Sequence, residues 1–165
     1  MQKMRIIGIA VAVALVTGCD FVGSNKPVVI NVLEAAYYND AHIPGSVNVS
    51  LDDLPEYAKK LSKNQPIVTY CANYACTASG HAAQQFVDLG FNNVYAYEAG
   101  TADWVAQGYP IEGAAQEAYL TMDNKPLDGH TDATQYKIIT TDALATLLGI
   151  EKKGSSACGC GTVCH

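Results

Sequence analysis

Along residues 28–113, short apolar runs alternate with segments whose apolar residues recur every three or four positions. Val28-Val29-Ile30-Asn31-Val32 is a nearly continuous apolar run, the pattern of a strand buried on both faces. Ile67-Val68-Thr69-Tyr70 and Val94-Tyr95-Ala96-Tyr97 read the same way. Val47-Asn48-Val49 is a shorter strand after a turn at Ala41-His42-Ile43-Pro44-Gly45. Leu54, Tyr57, Ala58 and Leu61 mark one face of a helix that Asp52 or Asp53 caps. Ala82, Ala83, Phe86, Val87 and Leu89 mark a second helix over 78–89, with Gly90 placed to end it. A third helix carries Trp104 and stops near Gly108-Tyr109-Pro110. Further on, residues 136–140 predict a strand. A helix over 143–148 follows, capped by Thr141 or Asp142 and ended by Gly149. Apolar strands alternating with helices predict an α/β fold with a central, mainly parallel sheet flanked by helices.

The start of the chain follows a different pattern. Lys3 and Arg5 precede an uncharged apolar run over 6–16, and small residues follow. A basic start, a short apolar core and small residues describe a secretory signal over residues 1–18. The run is short for a transmembrane helix. Val16-Thr17-Gly18-Cys19 looks like a bacterial lipobox, which makes Cys19 the lipidated first residue of the mature protein. The alternative is an ordinary signal peptide with Cys19 incidental. The lipobox reading puts the protein outside the cytoplasm with a lipid anchor as its membrane contact. In a Gram-negative cell, Asp20 then resembles the signal for retention at the periplasmic face of the inner membrane. Residues 19–27 form a polar tether, 28–113 the main domain, 114–153 a C-terminal extension and 154–165 a Cys-rich tail.

Composition narrows the function. The chain has a formal net charge of −6, and residues 1–18 hold two of its cations and no acid. No basic stripe remains for nucleic acid, so that class of partner is disfavoured. Export would place the cysteines where they can be oxidised. With Cys19 acylated, Cys71, Cys76, Cys158, Cys160 and Cys164 remain, an odd number that cannot all pair within one molecule.

The candidate chemistry lies in Cys71-Ala72-Asn73-Tyr74-Ala75-Cys76-Thr77-Ala78-Ser79. It puts a cysteine at the end of a buried strand, in a small-residue loop that opens a helix. Ligands in open α/β sheets bind outside the carboxyl ends of the strands. Backbone N–H groups and the helix dipole there favour a thiolate, so Cys71 is expected to ionise easily. Consecutive small residues leave room for backbone to close around an anion.

Three segments together resemble the rhodanese (sulfurtransferase) family, over about residues 28–113. His42-Ile43-Pro44-Gly45-Ser46-Val47-Asn48-Val49 resembles its His-Ile-Pro-Gly-Ala-x-Asn-Ile segment. Cys71 falls in its active loop, followed by a helix and Leu89-Gly90-Phe91-Asn92-Asn93-Val94. Tyr97-Glu98-Ala99-Gly100-Thr101-Ala102-Asp103-Trp104 resembles its Leu-x-Gly-Gly-x-x-x-Trp. The resemblance implies a rhodanese-like domain that requires no cofactor and carries a transferable sulfur on Cys71 as a persulfide. Backbone N–H groups of Ala72, Asn73, Tyr74, Ala75, Cys76 and Thr77 would cradle the sulfur or an anionic substrate. Its partners would be a small sulfur-donor molecule and a thiol acceptor.

Two departures from the family pattern refine this. Many members end the loop with Arg or Lys, where this chain has Cys76, and the loop from Ala72 to Thr77 has no charged side chain. A doubly charged donor such as thiosulfate would lose a cationic partner, which favours polysulfide or a low-molecular-weight persulfide. The family's Asp-x-Arg at the end of the first strand is Asn31-Val32-Leu33 here, a change expected to affect packing. A phosphatase on this fold needs a longer loop with an arginine in it, and this loop is short and has none.

Cys76 opens rival readings. It could resolve a persulfide, or pair with Cys71 in a thiol–disulfide redox protein, or simply pack as a small apolar residue. His42 is read as making structural hydrogen bonds, His81 as an exposed helical residue and Trp104 as core. The tail is a third centre of chemistry. Cys158, Cys160, Cys164 and His165 on glycine-rich backbone could hold a soft metal ion such as Zn²⁺ or Cu⁺, in a metal-binding lipoprotein. The alternative is an unstructured tail with one disulfide. The strand and helix after residue 135 look like the element that opens a rhodanese domain, and are expected to fold back and complete the sheet edge; the alternative is a separate appendage wrapped on the surface.

Overall fold

The computed structural model describes residues 26–126 and 135–154. The elements run β1 (Val28–Asn31), α1 (Ala35–Asp40), β2 (Val47–Asn48), α2 (Leu54–Ala58), β3 (Ile67–Tyr70), α3 (Ala78–Asp88), β4 (Val94–Tyr97), α4 (Gly100–Ala106), a 3₁₀ turn (Ala118–Thr121), β5 (Lys137–Ile138) and α5 (Thr141–Leu148). The five strands form one sheet in the order β2-β1-β3-β4-β5. All four strand pairings are parallel, which agrees with the mainly parallel sheet expected from sequence.

The alternation of side chains along each strand builds a core on both faces. Ile30, Ile67, Val94 and Ala96 point to one side, where they meet Leu54 and Ala58 of α2 and Ala82, Ala83 and Phe86 of α3. Val29, Val68, Tyr70 and Tyr97 point to the other, where they meet Trp104 of α4 and Leu144 and Ala145 of α5. Sheets covered on both faces have strands that read as continuous apolar runs.

Several element ends differ from the sequence expectation. Helix α2 is shorter than its apolar stripe implied, because after Ala58 the chain tightens into three-residue turns, with Leu61 N donating to Ala58 O at 3.1 Å. Of the two residues expected to cap it, Asp53 takes the position. It makes no side-chain cap bond, and its carboxylate accepts from Ser50 Oγ at 2.6 Å. Helix α5 is capped by Thr140, whose side chain accepts from Ala143 N, and not by Thr141 or Asp142. Thr141 is buried instead, and its hydroxyl bridges the Tyr97 phenol and the Asp103 carboxylate. Helix α1 has no sequence expectation at all, and none of its residues is buried.

Helix α3 ends as its glycine suggests. Gly90 has φ +83°, Gly90 N donates to Val87 O, and Phe91 N donates to Phe86 O. Phe91 then packs edge-on against Phe86, the apolar contact that accompanies this type of helix end.

Candidate active site

Strand β3 delivers the chain to Cys71, whose residue is fully buried. Next to it, Thr69 Oγ1 donates to Ser79 O at 2.8 Å, which ties the strand to the first turn of α3. The loop between them is held from one side by α4. Thr101 N donates to Cys71 O at 3.0 Å and Ala102 N to Ala72 O at 2.9 Å. These two donors belong to the first turn of α4, where backbone N–H groups lack partners inside the helix. Gly100 makes the approach possible. Its φ is +66°, and a Cβ there would stand 2.5 Å from the Ala72 carbonyl carbon.

Inside the loop the amides are largely engaged. Ala75 N donates to Asn73 Oδ1 at 3.1 Å and Cys76 N to Asn73 O at 3.0 Å, so Asn73 organises the turn. Tyr74 N donates to Asn124 Oδ1 at 2.9 Å, and Asn124 Nδ2 donates to Ala99 O at 2.8 Å. Three of the amides expected to cradle substrate are therefore satisfied within the protein. The backbone N–H groups of Ala72 and Ala78 point at the Cys76 sulfur. Thr77 is exposed and occupies the N-cap position of α3 without a side-chain cap bond.

The two thiols share one negative charge in a way the sequence does not suggest. Cys71 Sγ lies 2.9 Å from the Cys76 carbonyl oxygen, 3.5 Å from Ser79 Oγ and 3.8 Å from the Asn73 carbonyl oxygen. Carbonyl oxygens accept the proton of a thiol and repel a thiolate. The Cys71 thiol is raised well above the ordinary thiol range, by its hydrogen bond to Cys76, by burial and by the Cys76 charge. Cys76 is partly exposed and lowered to about 6, by the Cys71 thiol first and then by the Ala78 and Ala72 amides and the field of His81. This corrects the expectation that Cys71 ionises easily: the loop donors favour a thiolate, but at Cys76. Neither cysteine is in a disulfide.

The surroundings are acidic. Tyr74 is raised by burial and then by the charges of Asp103 and Glu98. His42 is structural, as expected: Nδ1 lies 2.8 Å from Tyr38 O, Nε2 lies 3.0 Å from Glu112, and Tyr38 stacks on the ring. The His-Ile-Pro-Gly turn is pinned to β3, since Tyr70 Oη accepts from Ile43 N at 3.1 Å and pairs with Ser46 Oγ at 2.8 Å. Asn31 closes the end of β1 locally by accepting from Leu33 N at 2.9 Å. Trp104 is buried in the core, with Nε1 donating to Pro110 O. Sequence reasoning gave no role to Ser79, or to Asn124, 50 residues downstream of Tyr74. Cys19, Cys158, Cys160, Cys164 and His165 lie outside the described residues. Among the described residues no cluster of His, Cys, Asp and Glu could hold a metal ion.

Known proteins give the same fold and loop a family context. The model of the rhodanese-like domain family matches residues 20–107. The chain is 33% identical over 79 residues to the thiosulfate sulfurtransferase GlpE of Coxiella burnetii, covering 48% of this chain and 72% of that one. It is 32% identical over 85 residues to the protein of the same name from Pseudomonas savastanoi pv. phaseolicola, covering 52% and 77%. Among solved structures, a Bacillus halodurans protein superposes with a TM-score of 0.52 at 29% identity, covering 59% of this chain and 72% of that one. A rhodanese-like domain from Anabaena sp. superposes with a TM-score of 0.50 at 26% identity, covering 65% and 81%. With the family match spanning more than half of its length, this chain belongs to the rhodanese-like domain family.

Proposed function

We propose that this protein is a sulfurtransferase that carries sulfane sulfur as a persulfide on Cys71. The observation that carries the reading is the thiol pair in the loop after β3, with Cys71 at the family's sulfur-carrying position and its proton within reach of the Cys76 thiolate. The pair holds one proton and one charge. Passing the proton from Cys71 to Cys76 creates the Cys71 thiolate. The sulfur with the higher pKa is the stronger nucleophile once it is free of its proton. It attacks the terminal sulfur of the donor and keeps that atom, and the rest of the donor leaves with the electron pair.

The donor follows from charge. GlpE relatives are named thiosulfate sulfurtransferases, and those proteins match this chain at modest identity. The loop from Ala72 to Thr77 offers no cation, and Asp103 and Glu98 add negative field beside it. Thiosulfate, which keeps both of its charges at neutral pH, is disfavoured there, so we infer that the singly charged, protonated form of polysulfide or a low-molecular-weight persulfide is the donor and a thiol the acceptor. Cyanide removes sulfane sulfur as thiocyanate, which gives the assay. Thiocyanate formed above the direct reaction of cyanide with each donor is expected to appear faster with polysulfide than with thiosulfate and to vanish in Cys71→Ser. Equal rates with the two donors would sink the donor assignment, and undiminished activity in Cys71→Ser would sink the carrier.

We further propose that residues 1–18 are an export signal and that Cys19 carries the lipid, so that sulfur transfer takes place outside the cytoplasm at a membrane surface. Radiolabelled fatty acid should be incorporated by the wild type and not by Cys19→Ser. Label that persists in the variant contradicts the anchor.

A further inference from the structure

Loading sulfur onto Cys71 asks of Cys76 only that it take a proton, yet the loop is arranged around the Cys76 sulfur. The amides of Ala72 and Ala78 and the Cys71 thiol all point at it. Backbone donors that would hold an incoming anion hold a resident one instead. Cys76 is the more exposed of the two, and Cys71 lies buried behind it with its sulfur 2.9 Å from the Cys76 carbonyl oxygen. The two thiols are within hydrogen-bonding reach while unbonded. A persulfide formed on Cys71 would therefore have a second sulfur nucleophile beside its inner atom before any acceptor arrives.

We propose that Cys76 discharges the Cys71 persulfide, releasing hydrosulfide as a Cys71–Cys76 disulfide closes. The inference rests on Cys71 as the sulfur carrier. Cys76 first gives up to solvent the proton it took from Cys71; its thiolate then donates an electron pair to Cys71 Sγ, and the new S–S bond forms there. The bond between Cys71 Sγ and the sulfane sulfur breaks, and its pair leaves on the sulfane sulfur, which departs as HS⁻ with the persulfide's proton. The sulfane sulfur is reduced by two electrons, and the two cysteine sulfurs together are oxidised by two. A small dithiol, or two molecules of a monothiol, then reduces the disulfide by thiol–disulfide exchange and resets the loop. The net reaction turns sulfane sulfur and thiols into hydrosulfide and a disulfide.

The test uses the full chain, fully reduced and freed of reductant, exposed to one equivalent of inorganic polysulfide and then alkylated. The lysine-cleaved fragment that begins after Lys63 contains Cys71 and Cys76 and no other cysteine, so its mass reports the loop alone. In the wild type this fragment is expected to lose two hydrogens while about one hydrosulfide per chain appears in solution. In Cys76→Ser it is expected to keep one added sulfur on Cys71, and the hydrosulfide released should fall short of the wild type's by about one per chain until a dithiol is added. A wild-type fragment that keeps its added sulfur as long as Cys76→Ser does would overturn the discharge step, and that comparison does not depend on the Cys71 variant folding. A different result strikes the reading beneath it. If Cys71→Ser retains sulfur on Cys76 and Cys76→Ser gains none, Cys71 is not the carrier, and wild-type closure with hydrosulfide release would then run the other way, with Cys71 discharging a Cys76 persulfide.

Discussion

At the scale of single residues, the pair Cys71 and Cys76 decides the chemistry. Cys71 faces carbonyl oxygens, and Cys76 faces N–H groups and a thiol proton. The charge therefore rests on Cys76, lowered to about 6. A thiolate reacts with iodoacetamide and a thiol does not. Labelling of Cys76 should rise through pH about 6, so that at neutral pH it is already near its plateau. In Cys71→Ala the rise should move to higher pH, because the largest cause of the shift is the Cys71 hydrogen bond. Wild-type labelling that rises only near the ordinary thiol range would refute the charge assignment. The position of the site was legible in the sequence, since a buried strand ends in small residues ahead of a helix. The distribution of charge was not. It depends on which carbonyl oxygens and amides the folded loop turns toward each sulfur, and on Asn124, which reaches Tyr74 from a distant segment.

At the scale of elements, what the sequence revealed follows from burial. Strands β3 and β4 coincide with their apolar runs because both faces of each are covered. Helix α1 left no trace because it buries nothing, so no stripe was required of it. The C-terminal strand β5 pairs parallel with β4 through Tyr95 and Lys137 and through Ala96 and Ile138. Helix α5 then buries Leu144 and Ala145 against the face that carries Trp104. The C-terminal segment thus forms the sheet edge beside β4, two strands from β3. Leu144 is fully buried while Leu147 is exposed. Leu144→Ala should cost about 2–5 kcal/mol of unfolding free energy, from lost burial and the cavity left behind. Leu147→Ala should change it by about 0.5 kcal/mol or less. Denaturant titration measures both. Equal effects would mean that α5 does not form part of the core.

At the scale of the whole molecule, a parallel sheet covered on both faces presents one reactive loop at the carboxyl end of a central strand, and the chain around it is acidic. That balance is in keeping with the proposed singly charged or neutral sulfur donor. No described helix is long and apolar enough to cross a membrane. The central claim is that sulfur rides on Cys71, and it is tested most directly by the mass of the loop fragment from Cys76→Ser after exposure of the full chain to polysulfide. A gain of one sulfur, localised to Cys71 and removed by cyanide, is the predicted result. A fragment of unchanged mass, or added sulfur anywhere but Cys71, contradicts the account.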